Sequence, residues 1–278
     1  MHIVAARVTA SGVIDIATVC PLQPGALVPA LTGTNILERN AVLAAAQNAI
    51  AGLGRDREVA AILPDACCRV VLIDLDVLPE KPEEADNLVR LRLKRSVPFD
   101  VDKACVSWQA QRVQGKIKVL AAAIFNSVLE EYESILREAG CAPGLVLPST
   151  LASLRQIEAA AASLLIKVDS GTVSTAIVSD RAVLLVRVLE RSPVTQGWEK
   201  ADGPQIVEAV HPAIEYFQDV HGRQIQRILI SGADPLEELN LCLENAGMTA
   251  QPLVAPERLA ESYRGQAGTL GAVAGALL

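Results

Sequence analysis

Two short strings hold most of the chemistry that this sequence offers. The first, Val168-Asp169-Ser170-Gly171-Thr172, closes a strand-like run at 164–168 and opens another at 173–178. An aspartate at the end of a buried strand, followed by glycine and a hydroxyl residue, turns backbone N–H groups and hydroxyls toward one point. That suits a phosphate, and the carboxylate can position a metal ion or a water. The same string also makes an ordinary hairpin with an Asx-type turn, so alone it does not decide. The second string, Ile230-Ser231-Gly232-Ala233-Asp234, comes about 60 residues later and ends a strand at 227–230 just before a helix. Its small side chains leave a surface on which an adenosine can lie flat against the backbone.

Other reactive residue types are present but are not spaced for a reaction. The pairs Glu83-Glu84 and Glu130-Glu131 are explained by helix-start electrostatics and by solvation. His211 and His221, with Asp219, lack a third ligand, so they read as structural or surface residues. The cysteines Cys20, Cys67, Cys68, Cys105, Cys141 and Cys242 match no redox or zinc spacing and read as reduced, apolar residues. Asp65 and Asp74 are the nearest candidates for a catalytic base in the first half, and neither sits in a glycine-rich substrate loop. No catalytic residue and no metal-ligand set is expected.

The bulk composition narrows the class. The 278 residues are 51% hydrophobic but only 3% aromatic, with a net charge of −7. An acidic chain with few aromatics lacks the basic face and the stacking platform of a nucleic-acid binder. Its most apolar stretches, 159–166 and 267–278, fall short of the roughly 20 residues that a membrane helix needs. No signal-peptide pattern follows Met1. An aliphatic-cored α/β protein in a reducing compartment is expected.

Periodicity then supplies the elements that must carry the two turns. Strands at 2–8 and 13–19 flank the turn Thr9-Ala10-Ser11-Gly12, and a helix covers 35–51. A strand at 59–63 ends at Pro64. Next come a strand at 69–76, a charged helix at 83–97 stopped by Pro98, and strands at 105–113 and 116–124. This β-α-β-β stretch reads as an insertion, bounded at 67–113. The helix at 83–97 carries Arg90, Arg92, Lys94 and Arg95, either a docking strip or a solvated face. A helix at 127–138, a strand at 144–147 and an alanine-rich helix at 149–162 complete the first half. The second half has strands at 164–168, 173–178, 182–189 and 227–230, helices at 202–221 and 235–246, and a small-residue helix from 268.

In that order, the two turns and their elements resemble the actin-like ATPase superfamily. More narrowly, the chain is similar to the PilM family of type IV pilus assembly proteins, related in architecture to the cell-division protein FtsA. Leu63-Pro64-Asp65, Leu78-Pro79, Glu84 and Val97-Pro98-Phe99-Asp100 are similar to the extra subdomain of those proteins, and Gly268-Thr269-Leu270-Gly271 to their closing helix. The resemblance implies an actin-like fold of two ribonuclease-H-like halves with an FtsA/PilM-type inserted subdomain. Its domains would be 1–66 with 114–160, the insertion 67–113, the second domain 161–267, and a closing helix 268–278 packing back on the first. ATP with Mg²⁺ would lie on Asp169, Ser170, Gly171, Thr172, Ser231, Gly232 and Ala233. The implied function is a cytoplasmic scaffold, peripheral at the inner membrane. It would bind the tail of a PilN-like bitopic membrane protein and work with other pilus platform and motor proteins. Leu63, Pro64, Phe99 and Trp108 are the candidate wall of the groove for that tail, with Phe99 and Trp108 equally able to serve as core.

The sequence departs from the family in three ways. The opening strand with its own Asp-x-Gly turn is not found, since 2–8 aligns better with the second strand. Either the true start lies upstream or the first subdomain rearranges to close the gap. Val173 and Ser174 follow the phosphate turn where more small or polar residues often sit. Ala233-Asp234 stands where further glycines would let a nucleotide approach, and Asp234 adds a negative charge near phosphate or ribose. Together these argue against tight ATP binding and against hydrolysis. The alternatives are an actin-like kinase or ATPase acting on a small molecule, and an FtsA-like polymerising protein.

Overall fold

The structure is a computed structural model and describes all residues except 55–56, 159, 170, 191–202, 233–235 and 277–278; for 203–205 and 236–238 it describes the backbone alone. The chain opens with the expected hairpin, β1 (His2–Val8) antiparallel to β2 (Ile14–Pro21). Thr9 closes the turn by donating its N–H to Val13 O at 2.8 Å, and Gly12 takes a φ of 78°. A loop leads to helix α1 (Arg39–Ala51), which starts four residues later than its sequence pattern indicates. Instead Ile36 bridges to Leu27, and residues 37–38 bend into the helix. The backbone N–H groups of Asn35 and Ile36 donate to the two carboxylate oxygens of Glu131 at 2.9 and 2.8 Å. Glu131 is therefore an anchor for this loop rather than a solvated residue.

Strand β3 (Glu58–Leu63) pairs in parallel with β7 (Ala142–Pro148), and the two form their own short sheet. Among the described residues no strand joins this sheet to the hairpin β1–β2. Between β3 and β7 the chain forms β4 (Cys68–Leu75), helix α2 (Pro82–Leu93), β5 (Ala104–Val113), β6 (Lys116–Phe125) and helix α3 (Asn126–Glu138). The sheet order is β4-β6-β5, all antiparallel. Since β6 is its central strand, the inserted unit cannot stop at residue 113 and runs on to Phe125. Helix α2 buries Ala85, Val89 and Leu93 and ends before the expected Val97, because Pro98 disfavours the helical conformation of the residue before it. Its core is Ile73, Leu75, Val89, Leu93, Val101, Val119, Ala121 and Ala123.

The alanine-rich stretch 149–162 forms only a short helix, α4 (Ser149–Leu154). It unwinds there so that Ile157 can enter the core of the second half and Gln156 can donate to Gly271 O at 2.5 Å. The second sheet then follows the expected strands: β8 (Ser163–Val168), β9 (Thr172–Ser179), β10 (Ala182–Glu190) and β11 (Arg227–Ser231). A short edge strand, β12 (Ala250–Pro252), was hidden by its proline and gives the order β10-β9-β8-β11-β12. Helices α5 (Gly203–His221) and α6 (Leu236–Asn245) cover one face, where Ile206, Val210, Ala213, Phe217, Leu239 and Leu243 meet Leu164, Ile166 and Val168. The last helix, α7 (Gly271–Ala276), lies against α4, β1 and β3. Arg258 secures this end by donating to Gly12 O, Gln156 Oε1 and Ala274 O at 3.1, 3.2 and 3.5 Å.

β4 and β5 of the inserted unit lie against β10 of the second half, and one side chain there bonds to its backbone. Gln111 of β5 donates Nε2–H to Val183 O at 2.5 Å, and its Oε1 accepts from Val183 N at 3.0 Å. This is the pair of bonds that a neighbouring strand would make, placed where the β9–β10 register shifts between Val183 and Leu185.

The cysteines are free thiols with unequal exposure. Cys67 donates to the buried Asn35 Oδ1 at 3.3 Å, and burial pushes its pKa up to about 12; burial also raises that of Cys68. Cys105 is exposed. Since the thiolate is the reactive form, iodoacetamide at neutral pH is expected to alkylate Cys105 in the native protein and to leave Cys67 and Cys68 unmodified until the chain is unfolded. Peptide mass mapping checks this, and early labelling at Cys67 would contradict the packing described.

Candidate functional site

The two candidate turns are side by side. Parallel pairing of β8 and β11 sets Lys167 opposite Ser231, and pairing of β8 with β9 sets it opposite Ser174. Gly232 leaves β11 with a φ of 96°, a conformation that favours glycine. A Cβ on Gly232 would lie 2.1 Å from Val168 O, so the second turn rests directly on the backbone of the first. Of the expected nucleotide-site residues, Asp169, Gly171, Thr172, Ser231 and Gly232 are thus brought to one end of the sheet. Ser170, Ala233 and Asp234 lie outside the described residues.

What fills that end is protein. Lys167 alternates with Leu164 and Ile166 in β8 and so points to the opposite face, toward the first half. Its side chain is 2% exposed. The ammonium pairs with the Asp169 carboxylate and stands 3.8 Å from Asp65 Oδ2. Asp65 belongs to the first half, in a single 3₁₀ turn (Asp65–Cys67) just after β3, and its side chain is 1% exposed. Its Oδ1 accepts from Thr150 N at 2.9 Å, and its Oδ2 accepts from Thr150 Oγ1 at 2.5 Å and Ser174 Oγ at 2.9 Å. Ser149 Oγ donates to Asp169 Oδ2 at 3.4 Å. A buried polar group is stable only when partnered, and both oxygens of the buried Asp65 carboxylate are; Asp169 is part-exposed.

The second turn is equally engaged. Gly232 N–H donates to Gly268 O at 2.9 Å, and Ser231 Oγ donates to the same carbonyl at 3.4 Å. A Cβ on Gly271 would lie 1.9 Å from Ser231 Oγ, and one on Gly275 would lie 2.0 Å from Ala152 O. Gly271 and Gly275 thus let the closing helix approach Ser231 and Ala152, while Gly171 has open space beside it. Among the described residues the site does not fit ATP with Mg²⁺: the Asp169 carboxylate holds an ammonium, and the Gly232 N–H holds a carbonyl.

Sequence reading passed over Lys167, Ser149, Thr150 and Ser174. The available signal was a lone lysine inside an otherwise apolar strand, which demands a buried partner. Asp65, weighed as a catalytic base, is one of those partners. Asp74 is exposed and paired with Lys118 at 2.5 Å. His211 is exposed and His221 stacks on Phe217 with ring centroids 5.0 Å apart.

The candidate groove residues separate into two groups. Leu63 is 4% exposed and packs with Cys67, Cys68, Ile124 and Val128, so it is core and leaves the proposed wall. Pro64, Phe99 and Trp108 are half-buried. Phe99 packs on the core of the inserted unit and meets Phe125 with ring centroids 5.7 Å apart. Trp108 packs on the same core and donates Nε1–H to Asp86 Oδ1 at 3.1 Å. Asp86 also accepts from Arg90 at 2.7 Å, and Lys94 pairs with Asp102 at 2.8 Å. Arg92 on α2, and Lys94 and Arg95 just after it, are the exposed part of the basic strip.

No protein-family model matches the chain, and no curated protein matches it by sequence. Solved structures do match. The PilM–PilN type IV pilus biogenesis complex superposes with a TM-score of 0.78 at 18% identity, covering 99% of this chain and 95% of that one. The cytoplasmic domain of EpsL, an inner-membrane component of the type II secretion system of Vibrio cholerae, superposes with a TM-score of 0.55 at 11% identity, covering 98% of this chain and 90% of that one. Likeness at such identities is likeness of fold. The chain has the actin-like α/β fold that its motif order implied. Among the described residues, no helix is long and apolar enough to cross a membrane.

Proposed function

We propose that this actin-like chain is a scaffold of an inner-membrane assembly platform of the type IV pilus kind. On this reading it works in the cytoplasm and reaches the membrane through a partner, a PilN-like protein whose cytoplasmic tail it holds. The observation that carries the reading is the near-complete superposition on the PilM of a PilM–PilN complex, with almost all of both chains aligned. The likeness to the EpsL cytoplasmic domain supports the same class of role, a protein platform at an inner membrane. The filled end of the second sheet favours a scaffold over a kinase or ATPase, because the side chains there satisfy one another.

The partner tail would dock as an extended peptide with apolar anchors on the inserted unit, where Pro64, Phe99 and Trp108 are half-buried rather than sealed in the core. Arg92 and Arg95 would add charge attraction for an acidic segment. Phe99→Ala is expected to weaken binding of a synthetic PilN-like tail about tenfold, as loss of an aromatic anchor does, with the far-UV circular dichroism unchanged. Isothermal titration of the full chain checks this. An unchanged dissociation constant would remove Phe99 from the site, and no binding of any such tail by the unmodified chain would remove the reading itself.

A further inference from the structure

A lysine ammonium buried at the end of a sheet needs charged partners. Lys167 is buried to 2% exposure between carboxylates from separate parts of the chain: Asp65, just after β3 in the first half, and Asp169, just beyond β8 in the second. Among the described residues, the other groups that donate to them are hydroxyls and one amide. Thr150 N, Thr150 Oγ1 and Ser174 Oγ donate to Asp65, and Ser149 Oγ donates to Asp169. Carboxylates with hydroxyls form the hard-oxygen donor set that suits a divalent cation such as Mg²⁺ or Ca²⁺. Here the positive charge is supplied by the chain.

We propose that Lys167 is the resident cation of this cleft: its ammonium takes the place of a divalent ion between Asp65 and Asp169 and ties the two halves together without nucleotide or metal. The tie is reinforced at its rim by Gly232 on Val168 and by Gly268 O on Gly232 N–H, both within the second half. Two consequences follow from charge balance. With the ammonium between the two carboxylates, the unmodified chain is expected to take up neither Mg²⁺ nor Mg-ATP at this point. Removing the ammonium leaves the buried carboxylate of Asp65 and the part-exposed one of Asp169 facing a common space with the hydroxyls of Ser149, Thr150 and Ser174 around it, and so creates a site that a divalent cation stabilises.

The test uses the full chain as wild type, Lys167→Met and Lys167→Met/Asp169→Asn, with thermal unfolding followed in EDTA, MgCl₂, CaCl₂ and Mg-ATP. The wild-type midpoint is expected to be the same in all four. Lys167→Met is expected to unfold several degrees lower in EDTA and to recover at least half of that loss in MgCl₂ or CaCl₂. The double variant, with one negative charge fewer, is expected to unfold above Lys167→Met in EDTA and to lose the response to either cation. If Lys167→Met is too unstable to purify, refolding it from urea with and without CaCl₂ gives the same comparison, with folded protein expected only when the cation is present. A saturable rise of the wild-type midpoint in Mg-ATP would overturn the proposal. So would a Lys167→Met chain as stable as wild type, or one that neither cation stabilises or refolds. Tail binding plays no part in these readings, so they stand or fall apart from the scaffold role.

Discussion

Asp65→Ala is expected to destabilise the chain by about 3–5 kcal/mol, the range for removing one member of a buried, hydrogen-bonded ion pair. The side chain gathers donors from three places: Thr150 of α4, Ser174 of β9 and, at 3.8 Å, the ammonium of Lys167. Alanine leaves Thr150 N, two hydroxyls and part of a buried positive charge without an acceptor. It also cuts the polar link that β3 makes with the second half. Asp65→Asn keeps an oxygen for Thr150 and should lose less, which separates the hydrogen-bond share from the charge share. Urea unfolding with a common slope measures both. A loss below about 1 kcal/mol for Asp65→Ala would mean that water reaches Lys167, against the burial on which the cluster depends.

Gly232→Ala is expected to be at least as damaging, about 4 kcal/mol or more, or to prevent folding. Two penalties coincide there. The φ of 96° disfavours any L side chain, and the new Cβ would meet Val168 O at 2.1 Å and Val168 C at 2.8 Å. Both obstacles are backbone inside a fully buried strand, so neither can step aside. Gly33→Ala is the fitting control, with a φ of 80° and nothing within 4 Å of its Cβ; only backbone strain of about 1 kcal/mol is expected. Gly271→Ala should fall between them, because the atom it meets is the rotatable Ser231 Oγ. Midpoints of thermal unfolding for the three variants should rank in that order. Equal effects at Gly232 and Gly33 would show that the second turn does not rest on β8.

The strands of the second half were legible because unbroken aliphatic runs bounded by turn residues have few other readings. The adjacency of the two turns was legible as well, since parallel strands separated by a helix end at the same edge. Short-range competition blurred the rest. Residues 35–38 have helical composition, yet the N–H groups of Asn35 and Ile36 find a better acceptor in Glu131, nearly a hundred residues away, and those of Leu37 and Glu38 in Ala26 O. The alanines of 149–162 favour a helix, but burying Ile157 and engaging Gln156 outweigh that preference. Lys167 looked like the end of an apolar run because its partner Asp65 comes about a hundred residues earlier, and no local pattern links them. Gly271 and Gly275 looked like helix glycines; only the distances to Ser231 and Ala152 show why no larger residue fits.

The bond pair between Gln111 and Val183 has a mechanical meaning. The inserted unit is the part of the chain on which the proposed partner would pull, and its sheet meets β10 through that amide and through the packing of β4 and β5 against it. Its two hydrogen bonds lie in parallel, so a shearing load is shared between them and neither opens alone. Force arriving at the inserted unit would pass through Gln111 into the edge of the five-stranded sheet. The two bodies would swing together, and a Gln111→Ala chain would let the insertion yield first.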